Sequence, residues 1–449
     1  MDETNKDVKK ITDLIEDEGK HYIKEYIAEL HPADIADIIE TLDEEKKKEL
    51  FNLLHTEIAS KVIVEVNEHS RDQILEDINK EKLTDIVEEM SSDDAADLIA
   101  DLSKEEAKDL LEKLHWKDST EVQKLLKYPE DTAGGIMQTE LLSVREEMLV
   151  EDAIIQLMAL SENIGDVPNV FVVDKNRRLV GILPVRKLLI VKHEMPISGI
   201  IDRNVISVNV NEDQEEVANI FKKYDLVSLA VVDDDGRLVG RIQIDDIVDV
   251  LVEEASEDIL HFGGVYQDEK VMDPPSRSIK VRLPWLIINL ATAFLAASVV
   301  GLFEDTIQTL TILAMFMPVV AGQGGNAGTQ ALAVAVRGIA LGEVSFSNAK
   351  RPLINSIIVG LLNGIVCGLI TALIEYFWKG SYMLGVVLCL AMIINLIIAC
   401  FVGVIIPLTL KWLKIDPAIA SVVIVTTFTD CIGFLSFLGL ATLFIKYLI

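Results

Sequence analysis

Hydrophobic and polar positions follow three different patterns along this chain. Over residues 20–128 apolar residues recur at helical spacing in short bursts, which predicts a string of small amphipathic helices. Between 136 and 255 short apolar runs bounded by polar turns alternate with amphipathic stretches, the pattern of αβ units. After Pro284 apolar residues dominate, in five stretches at 284–303, 307–336, 352–378, 382–410 and 417–445. Each exceeds the about 20 residues that cross a hydrocarbon core, and the later ones are long enough to tilt or to contain breaks.

Both soluble patterns repeat. His31-Pro32-Ala33-Asp34-Ile35-Ala36-Asp37-Ile38-Ile39 returns as Ser91-Ser92-Asp93-Asp94-Ala95-Ala96-Asp97-Leu98-Ile99, and each copy leads into a Leu-rich helix. Repeated short helices predict a small superhelical α-solenoid. Asp favours N-caps and first turns, which accounts for Asp34 and Asp37; for Asp93, Asp94 and Asp97 a cation-binding role stands beside that ordinary one. Further on, Val170-Phe171-Val172-Val173-Asp174 with Leu179-Val180-Gly181 matches Leu229-Ala230-Val231-Val232-Asp233 with Leu238-Val239-Gly240. Each is a strand, a tight polar turn and a second strand, preceded by a helix (near 150–160 and 215–224) and followed by another. This twin arrangement resembles a tandem pair of cystathionine-β-synthase-type (CBS) modules. Such pairs are regulatory and often bind adenine nucleotides such as ATP, an expectation that rests here on the resemblance alone. Asp245 to Asp258 reads as one helix leading into a linker, with Asp246, Asp249, Glu253 and Glu257 three or four apart, so that their carboxylates share a face and repel. A solvated face is the plain reading; relief of the repulsion by bound cations is the sharper one.

Charge divides the chain as hydropathy does. The net charge is −31, yet from Leu283 onward there are only 7 Lys+Arg and 6 Asp+Glu, leaving 34 basic and 66 acidic groups before it. A strongly anionic body attracts cations and repels nucleic acid, so no nucleic-acid partner is expected. No signal peptide is expected, because residues 1–10 are charged and no apolar run follows them. The four cysteines lie in the apolar third without a CxxC pair, and the seven histidines lack HxxxH-type spacing. Any metal is therefore expected on oxygen ligands. Lys280, Arg282, Arg337, Lys350, Arg351, Lys411 and Lys414 cluster at the ends of the apolar stretches that would face one side. By the positive-inside rule the soluble body is cytosolic and the C-terminus lies outside.

Two places in the apolar third are too polar for lipid. In the second stretch, Pro318 and four glycines within 317–330 predict irregular backbone buried in protein or lining a wet cavity. Close helix packing explains glycines at this spacing, but not Gln323, Asn326 and Gln330 beside them. In the last stretch, Asp430 follows Thr426-Thr427-Phe428-Thr429, thirteen residues from Pro417 and hence near mid-bilayer. A carboxylate there costs at least about 2.5 kcal/mol, so it must face water, an ion or a partner. No Lys or Arg lies at comparable depth. One carboxylate with hydroxyls, amides and carbonyls suits a hard cation, and these residues leave magnesium, manganese and calcium equally open.

The segments Tyr128-Pro129-Glu130-Asp131-Thr132-Ala133-Gly134-Gly135-Ile136-Met137, Gly324-Gly325-Asn326-Ala327-Gly328-Thr329-Gln330, and Asp416-Pro417-Ala418 with Thr426-Thr427-Phe428-Thr429-Asp430 come in an order that resembles the MgtE family of magnesium channels over nearly the whole chain. The resemblance implies a multi-domain architecture: a tail at 1–19, an acidic helical domain at 20–130, CBS modules at 131–200 and 201–255, a connecting or plug helix with linker at 245–281, and a five-span α-helical pore domain at 282–449. It implies a homodimer in the lipid bilayer of the cell (plasma or inner) membrane, no enzyme, and Mg2+ as both transported and regulatory ion. Asp430 matches the family's ion-binding aspartate, with Asn326, Thr426, Thr427, Gly325 and Thr329 around it. Asp93, Asp94, Asp97, Glu215, Asp225, Asp246, Asp249, Glu254, Glu257 and Asp258 would share regulatory magnesium ions. Many members carry Gly or Pro shortly before the paired threonines, whereas this chain has Val422-Val423, which puts a backbone break there in question. Two rivals are an intramembrane aspartyl protease, which needs a second deep carboxylate, and a CBS-regulated secondary transporter of another cation or solute.

Overall fold

Polar capping residues and two-residue breaks set the N-terminal architecture. The computed structural model describes residues 11, 20–160, 169–265, 269, 271 and 274–448, so the expected tail at 1–19 lies outside the described residues except for Ile11. Nine short helices follow: α1 (Lys20–Ile27), α2 (Pro32–Thr41), α3 (Glu44–Leu53), α4 (Thr56–Glu65), α5 (Glu68–Leu75), α6 (Lys80–Glu88), α7 (Ser92–Asp101), α8 (Lys104–Lys113) and α9 (Trp116–Leu125). Asp43, Asn67, Asn79 and Ser103 accept backbone N–H bonds at 2.8–3.4 Å from the first turns they precede, satisfying donors that the helix leaves open. Leu42, Leu54, Val66, Leu102 and Leu114 take extended backbone at the helix ends, and all but the partly buried Leu102 bury their side chains. Most helices then stack on the next but one, α1 on α3, α2 on α4, α3 on α5, α4 on α6, α6 on α8 and α7 on α9, which is the solenoid that the repeat predicts.

The twin αβ units are equally regular. Strands β1 (Ser143–Arg145), β2 (Asn169–Val173) and β3 (Leu179–Pro184) form one sheet, and β4 (Ser207–Asn209), β5 (Ser228–Val232) and β6 (Leu238–Gln243) the other. In each the first pair is parallel and the second antiparallel with a bulge at the same place. Helices α10 (Val150–Leu160) and α12 (Gln214–Tyr224) make the crossovers, and α11 (Val185–Leu188) follows β3. Asp174 and Asp233 shape the two turns identically, each accepting the N–H two and four residues on. The turns also join the modules: Leu179 N–H donates to Gly236 O at 3.1 Å and Leu238 N–H to Arg177 O at 2.9 Å, over a shared core of Phe171, Val173, Ala230 and Leu238.

The chain divides into two compact units, residues 1–252 and 253–449, and helix α13 (Ile244–Phe262) falls across the division. It ends at Gly263-Gly264, the latter with φ +71°, a left-handed stop that only glycine takes readily. The second unit holds α14 (Pro275–Gly301), α15 (Glu304–Thr309), α16 (Leu313–Ala340), α17 (Lys350–Lys379), α18 (Tyr382–Trp412), α19 (Pro417–Leu443) and α20 (Ile445–Leu448). Four of these, from 275, 350, 382 and 421, are long and apolar enough to cross a membrane. The expected fifth span is not among these four, because α16, at 28 residues long enough, has its hydropathy lowered by Gly322 to Gln330. A second expectation is corrected outright: the Gly-rich stretch is not irregular but one continuous helix through Pro318.

Small residues let these helices pack closely. Helix α18 is the most buried, packing on α16, α17 and α19. On α17, Gly360, Gly364 and Gly368 lie against its backbone, where an added Cβ would stand 2.5 Å from Leu396 O, 2.7 Å from Ile393 Cα and 2.9 Å from Cys389 O. Gly364→Leu is expected to destabilise the second unit by about 1–3 kcal/mol or more, read as a lower melting temperature in detergent. Gly301→Ala, at a position with open space, serves as the neutral comparison.

Candidate functional site

Two helices of the second unit carry the polar residues expected to handle an ion. On α19 helical spacing sets Thr426, Thr427 and Asp430 within one turn of each other. Thr426 Oγ1 donates to Val422 O at 2.9 Å and Thr427 Oγ1 to Val423 O at 2.6 Å, so both hydroxyl protons are turned back onto the helix while oxygen lone pairs remain for a cation or its waters. Asp430 is half-buried and has no hydrogen bond or ion pair with any described residue. The backbone here stays helical through Val422-Val423.

On α16 the glycines serve two faces. Gly328 packs on α19, where a Cβ would come 2.6 Å from Val425 Cγ1 and 3.3 Å from Thr429 Cγ2, and Gly324 packs on Asn395 of α18. Gly322 and Gly325 face open space, Asn326 is exposed, and Thr329 Oγ1 donates to Gly325 O at 2.9 Å. The packing and polar readings of this motif are therefore both present, on different sides of one helix. Asn395 was not singled out from the sequence, although a lone amide in the apolar run 382–410 is a visible signal. It is fully buried, its Nδ2 donates to Val320 O at 2.8 Å, and Gly433 of α19 also approaches it.

In the first unit the second copy of the helical repeat, Asp93 to Asp97, meets the start of α13. Asp93 is buried with its Oδ1 unpartnered among the described residues. Ser91 Oγ donates to Asp94 Oδ2 at 2.6 Å, and Gln243 N–H donates to Asp246 Oδ2 at 3.0 Å. Burial, then the charge of Asp93, pushes Asp94 up to about 6 and Asp246 up to about 8; burial, then Asp93 and Asp94, pushes Asp97 up to about 7. Asp97 keeps an exposed side chain, so solvent screens part of its effect. Burial likewise raises Asp93 and, ahead of neighbouring carboxylates, Glu140. Asp245 and Asp249, both exposed, add to the field on Asp94. The corresponding Asp34 and Asp37 of the first copy are both exposed, Asp34 in the first turn of its helix and Asp37 in the second.

Two residues of this cluster carry no sequence signal. Glu140 accepts from Ser92 N–H at 3.1 Å and Ser92 Oγ at 2.8 Å, tying α7 to the segment before β1. Arg241 of β6 is 3 % exposed, its Nη2 donates to Gln138 Oε1 at 3.2 Å, and burial lowers its pKa against the pull of Glu140, Asp246 and Asp93. Glu215 and Asp225 are placed elsewhere, at the two ends of α12: Glu215 half-buried in its acidic first turn, and Asp225 exposed as its left-handed C-cap, φ +49°. The single acidic face expected on α13 is also divided. Asp246 belongs to the cluster just described, whereas Glu257 in the second unit lies 3.6 Å from His261 Nδ1, with Asp416 Oδ2 at 3.4 Å from the same nitrogen. Asp258 beside them is raised by burial and by Asp416, and Glu254 is half-buried.

Comparison with known proteins follows this division. Residues 317–440 match the profile of the divalent cation transporter family MgtE, residues 30–131 that of the MgtE intracellular N domain, and residues 133–194 and 197–253 that of the CBS domain. The magnesium transporter MgtE of Bacillus subtilis (strain 168) is 35% identical over 331 residues, 74% of this chain and 73% of that one. The magnesium transporter MgtE of Thermus thermophilus is 34% identical over 328 residues, 73% of each. The crystal structure of the cytosolic domain of the Mg2+ channel MgtE in complex with ATP aligns at TM-score 0.52 and 31% identity, covering 54% of this chain and 99% of that one.

The carboxylates of the first unit generate a pH prediction. Unfolded, they titrate near 3.8; folded, Asp94, Asp97 and Asp246 hold protons up to about 6, 7 and 8. The folded state thus binds more protons between these values, and their contribution is fully present below about pH 4 and lost as pH rises through 6–8. With divalent ions chelated, the melting temperature of the full chain should fall by at least about 2 °C from pH 5.5 to pH 8, and Asp246→Asn should flatten that slope. A metal-free midpoint that climbs with pH in both proteins removes the cluster from the account.

Proposed function

The chain belongs to the MgtE family and is a magnesium transporter, not an enzyme; from that premise we propose that it is a homodimeric magnesium-selective channel closed by intracellular magnesium. In this reading the four long apolar helices are joined by α16 as a fifth span, whose packed glycine face is protein-covered and whose Asn326 flank lines the pathway. The N-terminal unit is cytosolic, the C-terminus lies outside, and the membrane is the cell membrane. Asp430 holds the passing ion through its waters, with Thr426, Thr427, Thr329 and Asn326 adding side-chain oxygen atoms and Gly325 leaving room beside them. The observation that carries this is the half-buried Asp430 carboxylate without a cationic partner among the described residues, in a helix of membrane length. Leaving it bare would cost at least about 2.5 kcal/mol, and a divalent ion relieves that cost. Two protomers bring two such charges towards one axis.

For closure, the cluster of Asp93, Asp94, Asp97, Asp246 and Asp249 supplies one set of regulatory ligands, and Glu254, Glu257 and Asp258 on the plug helix α13 another; Glu215 and Asp225, at the two ends of α12, would serve a separate ion. Bound cations favour the closed form only if that form binds them better, and a swing from 1:99 to 99:1 needs about a 10⁴-fold difference in affinity. ATP is proposed to bind the CBS pair. Support comes from the similarity to the ATP complex of the MgtE cytosolic domain and from a cavity of about 470 Å³ in the first module, lined by Arg145, Arg177, Gln156 and Met148, whose guanidinium groups suit phosphate.

Asp430→Ala is expected to abolish magnesium uptake in a magnesium-auxotrophic host, and growth rescue equal to wild type sinks the pore assignment. Joint neutralisation of Asp246, Asp249 and Glu257 is expected to raise the internal magnesium needed for half-closure by at least about tenfold, read as currents in excised patches. Unaltered inhibition takes those residues out of the gate.

A further inference from the structure

We propose that Asn395 is a positioning residue for permeation: its side-chain amide is a spacer that fixes how α16 and α19 stand apart at the level of Asp430, and so which hydrated ions pass. Asn395 lies near the middle of α18 and is fully buried. Its Nδ2 donates to Val320 O of α16 at 2.8 Å. Two glycines make room for the amide, one on each neighbouring helix. A Cβ on Gly324 of α16 would meet Nδ2 itself, and a Cβ on Gly433 of α19 would stand 2.8 Å from Nδ2 and 3.4 Å from Oδ1. Three helices thus converge on one side chain.

These contacts give the two ion-handling helices a register. Gly324 meets Gly433 through the amide, whereas one turn further along α16 Gly328 meets α19 directly. A Cβ there would lie 2.6 Å from Val425 Cγ1 and 3.3 Å from Thr429 Cγ2. The two helices therefore run antiparallel, and the level between the two contacts holds Asn326 of α16 and Asp430 of α19. At one end of this interval the helices touch; at the other a whole amide intervenes. Helical spacing turns Asn326 away from the Gly324 and Gly328 face, so Asn395 acts on the ion only through the separation and tilt of the helices that carry its ligands.

Stability does not call for an amide at this place. A single hydrogen bond between membrane helices contributes little on average. Against it, Asn395 Oδ1 is buried without a partner among the described residues, and an orphaned acceptor costs more than such a bond returns. What the amide supplies is a fixed width, with its bond to Val320 O holding α16 at one height.

The role depends on Asp430 being the pore carboxylate of the proposed channel, and the test separates the two. Full-length protein in liposomes is assayed for Mg2+ and Ca2+ flux at low internal Mg2+, with its melting temperature read in detergent. Asn395→Ala removes the spacer and lets Gly433 approach Gly324. The ratio of Mg2+ to Ca2+ flux is expected to fall by at least about tenfold, since magnesium keeps its waters more firmly than calcium and so needs the wider passage. Gly433→Ala added to Asn395→Ala puts a methyl group back into the vacated space and is expected to restore the ratio towards wild type. Asn395→Leu keeps the branched outline, is bulkier and lacks the bond; it is expected to stay within about 4 °C of the wild-type melting temperature and still to shift the ratio. That variant carries the test if Asn395→Ala does not assemble. A wild-type ratio in every folded variant, or a loss common to both ions that follows the melting temperature, overturns the spacer while a flux-dead Asp430→Ala leaves the pore standing. Undiminished flux through Asp430→Ala sinks the pore reading and the spacer with it.

Discussion

Carboxylates removed from water without a cationic side chain to answer them are the constraint on which this protein is organised. The cost of an isolated charge in a low-dielectric surrounding has three remedies: a proton, a fixed positive group or a bound ion. In the membrane unit Asp430 is given no fixed group among the described residues, and in the N-terminal unit Asp93, Asp94 and Asp246 crowd together faster than Arg241 alone can balance. A net charge of −31 confined to the front two-thirds is the same constraint written across a whole surface. In the proposed reading such a molecule senses cations because bound ions answer charges that its own side chains leave unbalanced.

The choice between proton and metal follows from how far each acid is pushed. With Asp94 near 6, Asp97 near 7 and Asp246 near 8, these groups are part-protonated around neutrality, so an arriving divalent ion displaces protons as it binds. Arg241 tempers the cluster from within. Its buried guanidinium supplies permanent positive charge, and its bond to Gln138, with the Glu140 bonds to Ser92, holds α7 against the second CBS module without any ion. Docking inside the N-terminal unit is therefore partly built in, and in the proposed gating cations would adjust it rather than create it.

Local patterns were the legible part of the sequence. Apolar runs located the long helices to within about ten residues, as 352–378 against Lys350–Lys379 shows, because hydropathy is a property of the segment itself. The twin strands and the helical repeat were readable for the same reason. What stayed hidden was tertiary. Nothing near Gly324 and Gly328 in sequence announces Asn395, Val425 and Thr429, which approach that stretch closely. The resemblance placed Glu215 and Asp225 in the regulatory set, and the fold gives them helix-end positions; Glu140 and Arg241 look ordinary until β6 and α7 bring them to Asp93. His261 went unremarked because its partner Asp416 is 155 positions away.

The intact helices α16 and α19 also limit how an ion can be held. An unwound segment offers free carbonyl oxygens that replace a hydration shell, as irregular backbone at membrane depth does elsewhere. Here the carbonyls of Gly325, Val422 and Val423 already accept from threonine hydroxyls as well as serving the helix, so few backbone oxygens are spare. One carboxylate, a few hydroxyl lone pairs and an amide per chain are too few to strip six waters from magnesium, which surrenders them reluctantly. A pathway built from these residues must therefore recognise the ion with most of its water still attached. Selection would then fall on the size and charge of the hydrated ion, a broad field from Asp430 doing the work that close coordination does in a narrower filter.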